Sequence, residues 1–270
     1  LYGVPYHIYP TVNLYEEMQV IEKKPLRKLG KCWDGNDASR SNYVPILFYV
    51  CSMKEHHLTV SRTARYYSLG EWNADTRQVW FVLHGYGQLA QYFIQKFAIL
   101  ENSQTVVIAP EALSRFYLDQ PGASRVGATW MTREDRQNEI DDQIAYLNLL
   151  YDTVRDQNDP SRVQINLLGF SQGTATALRW LVSGHVKCHR LVLWAGYFAN
   201  GIADLVQPNQ LAHVETIVAY GTKDEYLEQI DLEKYRIDIL NSIPHAQIMS
   251  FEGTHTIDLA TLKQIANSQS

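Results

Sequence analysis

Short apolar runs alternate with amphipathic stretches along most of this chain, and the alternation becomes clear from about residue 57 onward. Apolar segments recur at 79–83, 105–109, 163–168, 191–195, 214–220 and 247–251, each bounded by turn-forming residues. Runs of that length suit strands buried on both faces of a parallel sheet. Residues 57–69 alternate well enough to predict an early strand, and 70–76 are turn-rich.

Helical spacing fills the intervals. Leu89, Phe93, Phe97 and Leu100 fall three or four apart, as do Ile140, Ile144, Leu147, Tyr151 and Val154 in a longer stretch. Thr132 with Asp135 reads as a capping-box start for that long helix, and Asn158-Asp159-Pro160 as its stop. Leu227, Ile230, Ile237 and Leu240 predict another helix, and Leu259, Leu262 and Ile265 a last one. Strand alternating with helix predicts an α/β class fold, a mostly parallel central sheet with helices on both faces.

Residues 1–52 lack this order. Lys23-Lys24-Pro25 and Lys31-Cys32-Trp33-Asp34-Gly35 interrupt every apolar run, and only 14–21 carry a weak helical period. The expectation is an appendage at 1–52 before a domain at 53–270, with Met53 as the natural start. The alternative is an ordinary N-terminal extension packed on the domain.

Composition narrows the class further. With 270 residues, 46% hydrophobic and 20% charged, the chain can bury a substantial core without staples. Its 24 basic and 29 acidic residues give a net charge of −5, which disfavours nucleic acid as a partner. Three cysteines, Cys32, Cys51 and Cys188, do not form a disulfide framework and fit a reducing compartment. No secretory signal pattern is present, and the apolar run at 44–51 is far too short to span a bilayer. The expected location is cytoplasmic.

Gly169-Phe170-Ser171-Gln172-Gly173 is a G-x-S-x-G sequence. Alone it is weak, since chance produces it about once in ten chains of this length. Here it follows the apolar run 163–168 and opens the helical pattern Ala175, Leu178, Leu181, Val182. Strand, sharp turn and helix make the setting of a nucleophile elbow. A serine hydroxyl needs a base to take its proton, and this fold supplies an acid and then a histidine downstream. Asp224 lies in the loop after 214–220, and His255 in the loop after 247–251, ahead of the last helix. Glu225 is the alternative acid; His213 and His245 are alternative bases, but neither lies in a glycine-containing loop after a strand. Three candidates at the C-terminal ends of three strands share the edge where parallel sheets place ligands. The oxyanion requires backbone donors, and Gln172 and Tyr86, the latter in His84-Gly85-Tyr86-Gly87-Gln88, are the natural pair. His84 reads as a residue that holds this loop.

At these residues the chain resembles the phospholipase/carboxylesterase family of α/β hydrolases, which includes bacterial carboxylesterases and acyl-protein thioesterases. The likeness runs from about residue 76 to 265. It rests on Leu83-His84-Gly85-Tyr86-Gly87, on the G-x-S-x-G sequence, on Asp224 and on His255. It implies the α/β-hydrolase fold and a triad that uses neither metal nor cofactor. Ser171, His255 and Asp224 would then act on a small-molecule carboxylic ester or thioester, with Tyr86 and Gln172 as oxyanion donors. Ser114-Arg115-Phe116-Tyr117-Leu118 and Val126-Gly127-Ala128-Thr129-Trp130-Met131 resemble a branch of bacterial esterases. Thr174 departs from the family, many of whose members carry a second glycine there. Residues 1–52 fall outside its pattern.

Phe116, Tyr117 and Trp130 lie in 112–131, a stretch with few helical or strand signals, and are candidates to wall the substrate pocket. Arg115, Arg125 and Arg133 read as solvated charge, with recognition of an anionic substrate as the alternative. His185, Cys188 and His189 lack a nearby fourth ligand and read as a polar loop. The acidic group Glu134, Asp135, Glu139, Asp141 and Asp142 suits a helix N-terminus. The expected activity is ester hydrolysis through an acyl-enzyme. Thioester or lysophospholipid cleavage and acyl transfer to another acceptor are alternatives on the same fold. A non-catalytic binding module is the rival of a different class, against which intact Ser171, Asp224 and His255 argue.

Overall fold

The strand that predicts most cleanly also shows how the sheet is built. In β2 (Gln78–Leu83), Val79, Phe81 and Leu83 enter one apolar cluster, while Trp80 and Val82 enter another. That division is the period of two in an extended chain, here with both faces dry. A computed structural model describes residues 54–118, 124–155, 163–198 and 201–268. The chain divides into two units, Leu1–Val60 and Ser61–Ser270. In the first, the described residues are exposed and form no helix or strand; the expectation about 1–52 and Met53 lies outside the described residues.

The larger unit carries a seven-stranded sheet. Along the sheet run β1 (Tyr66–Leu69), β3 (Thr105–Pro110), β2, β6 (Gln164–Phe170), β7 (Arg190–Trp194), β8 (Glu215–Gly221) and β9 (Gln247–Phe251). Only β1 is antiparallel to its neighbour. The early strand is shorter than expected. Its pairing with β3 starts at Tyr66, so 61–65 lack a strand partner.

Helices cover both faces. On one side α2 (Arg136–Arg155) and α3 (Gln172–Val182) bury Leu147, Leu150, Tyr151, Leu178 and Trp180 against Phe81 and Leu167. On the other lie α1 (Ala90–Phe93), continued by a 3-10 turn (Ile94–Leu100), and α5 (Leu259–Asn267). Phe93, Phe97, Leu262 and Ile265 pack there against Trp80, Val82 and Leu168. At roughly 25 cal/mol per Å² of apolar area, these two clusters supply most of the drive to fold.

Three details differ from the sequence reading. Asp135 has φ 47°, outside the helical region, so the box does not close through it. Instead the Glu139 carboxylate accepts the Thr132 N–H and hydroxyl. The fourth helix, α4 (Leu232–Ser242), starts later than expected because the Asp231 carboxylate caps it by accepting the Lys234 N–H. It buries Ile239 and leaves Ile237 and Leu240 exposed, the reverse of the expected face. Residues 112–131 contain a hairpin that the pattern missed, β4 (Ser114–Tyr117) against β5 (Val126–Thr129). The proposed stop at Asn158-Asp159-Pro160 lies outside the described residues.

Candidate active site

Strand order sets the position of the site. β2 is followed by β3 on one side, and β6 joins it on the other. Chains leaving the C-terminal ends of β2 and β6 therefore diverge and open a crevice between them. Register pairs Leu83 with Gly169, which puts the 84–88 loop beside the 170–171 turn. A Cβ on Gly85 would stand 3.2 Å from Ser171 Cβ.

The turn itself is tight. Ser171 has φ 52° and ψ −118°, a conformation that L-residues rarely adopt, and its N–H donates to Trp194 O at 2.8 Å. Strain of this kind persists only where surroundings over-determine it. Here the surroundings are backbone. A Cβ on Gly169 would collide with Gly173 O and lie 2.6 Å from Thr174 Cα. One on Gly173 would collide with Leu83 O and lie 2.7 Å from His84 O. Thr174, the departure from the family pattern, is buried and donates its hydroxyl to Ser171 O at 2.6 Å. It therefore ties the elbow from within the first turn of α3, a role that nothing in the spacing revealed.

Asp224 and His255 come together from neighbouring strands. β8 and β9 pair through Gly221 and Phe251, and the Lys223 N–H donates to Gly253 O at 2.8 Å. The two loops are thereby fastened to each other. His255 Nδ1 donates to Asp224 Oδ2 at 2.8 Å, and Asp224 Oδ1 accepts the Tyr226 N–H at 3.0 Å. Asp224 is 1% exposed, whereas Glu225 lies on the surface, so the histidine meets the first acid and not the second. Phe170 and Tyr226 flank the imidazole, with ring centroids 4.9 and 4.6 Å away. The Trp194 indole donates to Thr256 O at 2.8 Å, which fixes the chain just after it. Neither ring contact was legible in the sequence.

Phe170 sets His255 beside the elbow, but no hydrogen bond joins Ser171 Oγ to His255 among the described residues. His255 Nε2 is left without a partner there, as are the N–H groups of Tyr86 and Gln172. Gln172 uses its side-chain amide elsewhere, accepting the Trp130 N–H at 3.1 Å and donating to Met131 O at 2.9 Å. Those bonds pin the start of α3 to the end of the hairpin. His213 stays on the surface, and His245 meets Val214 O at 2.9 Å; neither approaches the Asp224 pair.

His84 holds its loop. Its Nδ1 donates to Gly85 O at 2.8 Å, and its Nε2 accepts the Ala112 N–H at 3.1 Å. Burial holds its pKa at about 4, so the ring stays neutral with the proton on Nδ1. Of the three pocket candidates, Phe116 stacks on Tyr86 with centroids 5.1 Å apart. Tyr117 is 72% exposed and turns to the other face of the hairpin, as alternation requires. Trp130 is 1% exposed and donates its indole N–H to His84 O at 2.7 Å, so it supports the loop from behind.

Several other charged groups are paired among themselves. Arg115 pairs with buried Glu111 at 3.4 Å, which also takes Arg65 at 2.6 Å. His185 meets Asp152 at 2.9 Å, and the Ile165 N–H donates to His189 Nδ1 at 3.1 Å. Cys188 is buried, which pushes its thiol up to about 12. Among the described residues of 61–270, no three His, Cys, Asp or Glu gather as a metal site would require. Nor is any described helix long and apolar enough to cross a membrane.

Solved structures share this arrangement of strands and helices. Acyl-protein thioesterase 2 of Zea mays is 15% identical with a TM-score of 0.56, covering 76% of this chain and 96% of its own. A Bacillus cereus carboxylesterase is 16% identical with a TM-score of 0.54, covering 75% and 92% respectively. A phospholipase/carboxylesterase from Dyadobacter fermentans is 16% identical with a TM-score of 0.53, covering 78% and 98%. At such identities the likeness establishes the fold, an α/β-hydrolase arrangement, and nothing finer. No curated protein matches the chain. The family model for phospholipase/carboxylesterase matches residues 71–269, most of the larger unit and more than half of the whole, and the chain belongs to that family.

Proposed function

We propose that this protein hydrolyses carboxylic esters through an acyl-enzyme on Ser171. The observation that carries the reading is the His255–Asp224 pair at 2.8 Å, buried at its acidic end and set by Phe170 beside a strained serine turn. With Nδ1 committed to Asp224, the proton-accepting lone pair of His255 is on Nε2. Ser171 Oγ attacks the carbonyl carbon as Nε2 takes its proton. Catalytic hydrogen bonds are often loose before substrate arrives. The N–H groups of Gln172 and Tyr86 receive the negative oxygen. The imidazolium then protonates the departing alcohol as the ester C–O bond breaks. Water, deprotonated by His255, attacks the acyl-serine; the serine recovers its proton and the acid leaves. Asp224 keeps the tautomer and stabilises the transient positive ring.

Membership of the family and the esterase neighbours support the choice of ester as substrate. The Zea mays thioesterase places thioesters in the same test. Turnover of p-nitrophenyl esters and acyl thioesters by the Ser171→Ala variant should fall by at least about a thousandfold, with folding unchanged. A fluorophosphonate probe should label the parent protein and not the variant. Undiminished hydrolysis in Ser171→Ala, or a parent protein that neither turns over nor labels, would overturn the assignment.

A further inference from the structure

The chain just past β7 is held in an unusual shape. Ala195 has φ 51°, a left-handed conformation that is costly for a residue with a Cβ. The peptide joining Trp194 to Ala195 is fixed on both sides. Its carbonyl accepts the Ser171 N–H at 2.8 Å, and its N–H donates to Ala219 O in β8 at 2.7 Å. The strained serine turn and the strained turn after β7 therefore share one peptide group. Such a conformation needs a hold downstream as well as upstream. Downstream, the carbonyl of Gly196 accepts the Tyr235 hydroxyl at 2.5 Å.

A second contact runs from Gly196 back to the elbow. A Cβ on Gly196 would lie 2.6 Å from Thr174 Oγ1 and 2.8 Å from Thr174 Cγ2, so its bare Cα rests on that side chain. Thr174 in turn donates to Ser171 O at 2.6 Å. The turn after β7 thus reaches Ser171 twice, at its N–H through Trp194 and at its carbonyl through Thr174. Tyr235 comes from another part of the chain, the first turn of α4 beyond the Asp231 cap. Burial pushes its phenol above the ordinary value, and Tyr220 and Asp224 add to the effect. The hydroxyl keeps its proton and stays a donor.

We propose that Tyr235 is a positioning residue for Ser171. Its hydroxyl holds the turn after β7, and that turn holds the elbow through Thr174 and Trp194. Without the hydroxyl, the downstream end of the Ala195 turn is released and the serine loses its exact place. The proposal rests on Ser171 being the nucleophile, and adds to that site a residue that touches neither substrate nor base.

Tyr235→Phe removes the hydroxyl alone, and Thr174→Val removes the other one at nearly constant shape. Each should lower kcat for p-nitrophenyl butyrate about tenfold with KM within about twofold, since small misplacements at the reacting atoms fall on turnover. Because both act through one chain of contacts, the double variant should lie within about twofold of the weaker single variant. Tyr146→Phe is the control, another phenol that donates to a backbone carbonyl, Arg65 O, beside the far edge of the sheet. Its kcat should stay at the parent value. Multiplying losses of roughly a hundredfold in the double variant would overturn the proposal, as would an unmoved kcat in Tyr235→Phe.

Amide hydrogen exchange, followed by mass spectrometry, needs no turnover and separates this proposal from the one before it. Tyr235→Phe should exchange faster than the parent at 171–174 and 194–197, and Tyr146→Phe should not. Unchanged exchange at those residues would sink the link even in an active esterase. Faster exchange there, in a protein that neither turns over esters nor labels, keeps the link and removes only the assignment of Ser171.

Discussion

The elbow and the hairpin face each other across the same crevice, yet they are held by different things. At the elbow, backbone meets backbone: Gly169 and Gly173 approach neighbouring main chain too closely to admit a side chain, and the Ser171 N–H is tied to β7. On the hairpin, β5 is tied to the 84–88 loop, the Gly87 N–H donating to Ala128 O at 2.9 Å, but the outer strand β4 alternates between half-buried and exposed residues, and Leu118 and Val126 border open space. The contrast teaches a division of labour. Atoms that must meet within a few tenths of an ångström are positioned by main chain, which mutation cannot easily move. In the proposed mechanism, selection among substrates falls to side chains such as Phe116, which can change without disturbing the sheet.

The harshest way to break this comparison is to add one carbon at the elbow. In Gly173→Ala the new Cβ would meet Leu83 O and His84 O, both backbone, so β2 and α3 must part. Overpacking against atoms that cannot rotate away belongs to the costly end of point mutations, at least about 4 kcal/mol. Urea denaturation should show that loss, and ester turnover should vanish with it. A variant within about 1 kcal/mol of the parent would mean the elbow is looser than its geometry states.

This division also explains what the sequence made legible. The sheet could be read because each central strand is a short apolar run between turn residues, as 79–83 and 191–195 are. The elbow glycines, Asp224 and His255 were legible because their places relative to strands follow from topology alone. The hairpin was not, since Ser114-Arg115-Phe116-Tyr117 is too short and too polar on one face to stand out from a loop. Its alternation with a period of two, Phe116 in and Tyr117 out, is the signal the sequence carries. The spacing of Leu227, Ile230, Ile237 and Leu240 misleads for α4 because Leu227 and Ile230 precede the Asp231 cap and so do not share a helix with the other two. Thr174 and Tyr226 act through contacts made in space, for which the sequence carries no spacing.

His84 joins the two regions, and acid should loosen that joint. Its ring accepts from Ala112, at the foot of the hairpin, and its carbonyl accepts from Trp130, just past β5. Its folded pKa is lowered from 6.5 to about 4 by burial. Because the folded value lies below the unfolded one, the contribution is whole above pH 6.5 and is lost as pH falls toward 4. Across that window the loss approaches roughly 3 kcal/mol, one proton being taken up on unfolding. The His84→Gln variant should be less stable than the parent at neutral pH and should show a shallower fall between pH 6.5 and 4.5. Denaturant midpoints measured along that pH series decide it. Equal slopes in the two proteins would mean that His84 takes no part in acid sensitivity.

The mildest change sharpens the hairpin side. Phe116 stacks on Tyr86, whose N–H is the second oxyanion donor of the proposed mechanism, whereas Tyr117 next to it faces away. An aromatic pair of this kind contributes about 1 kcal/mol. Phe116→Ala should therefore lower kcat/KM for a p-nitrophenyl ester by roughly fivefold, and Tyr117→Ala should leave it unchanged. The split between constants carries the meaning. If Phe116 only walls the crevice, the loss falls on KM; if its ring also steadies Tyr86 against the developing oxyanion, kcat falls as well. Stability should hardly move in either variant, because neither ring belongs to the two buried core clusters. Loss of folding in Phe116→Ala would place the hairpin in the same rigid class as the elbow, and the contrast between the two regions would fail.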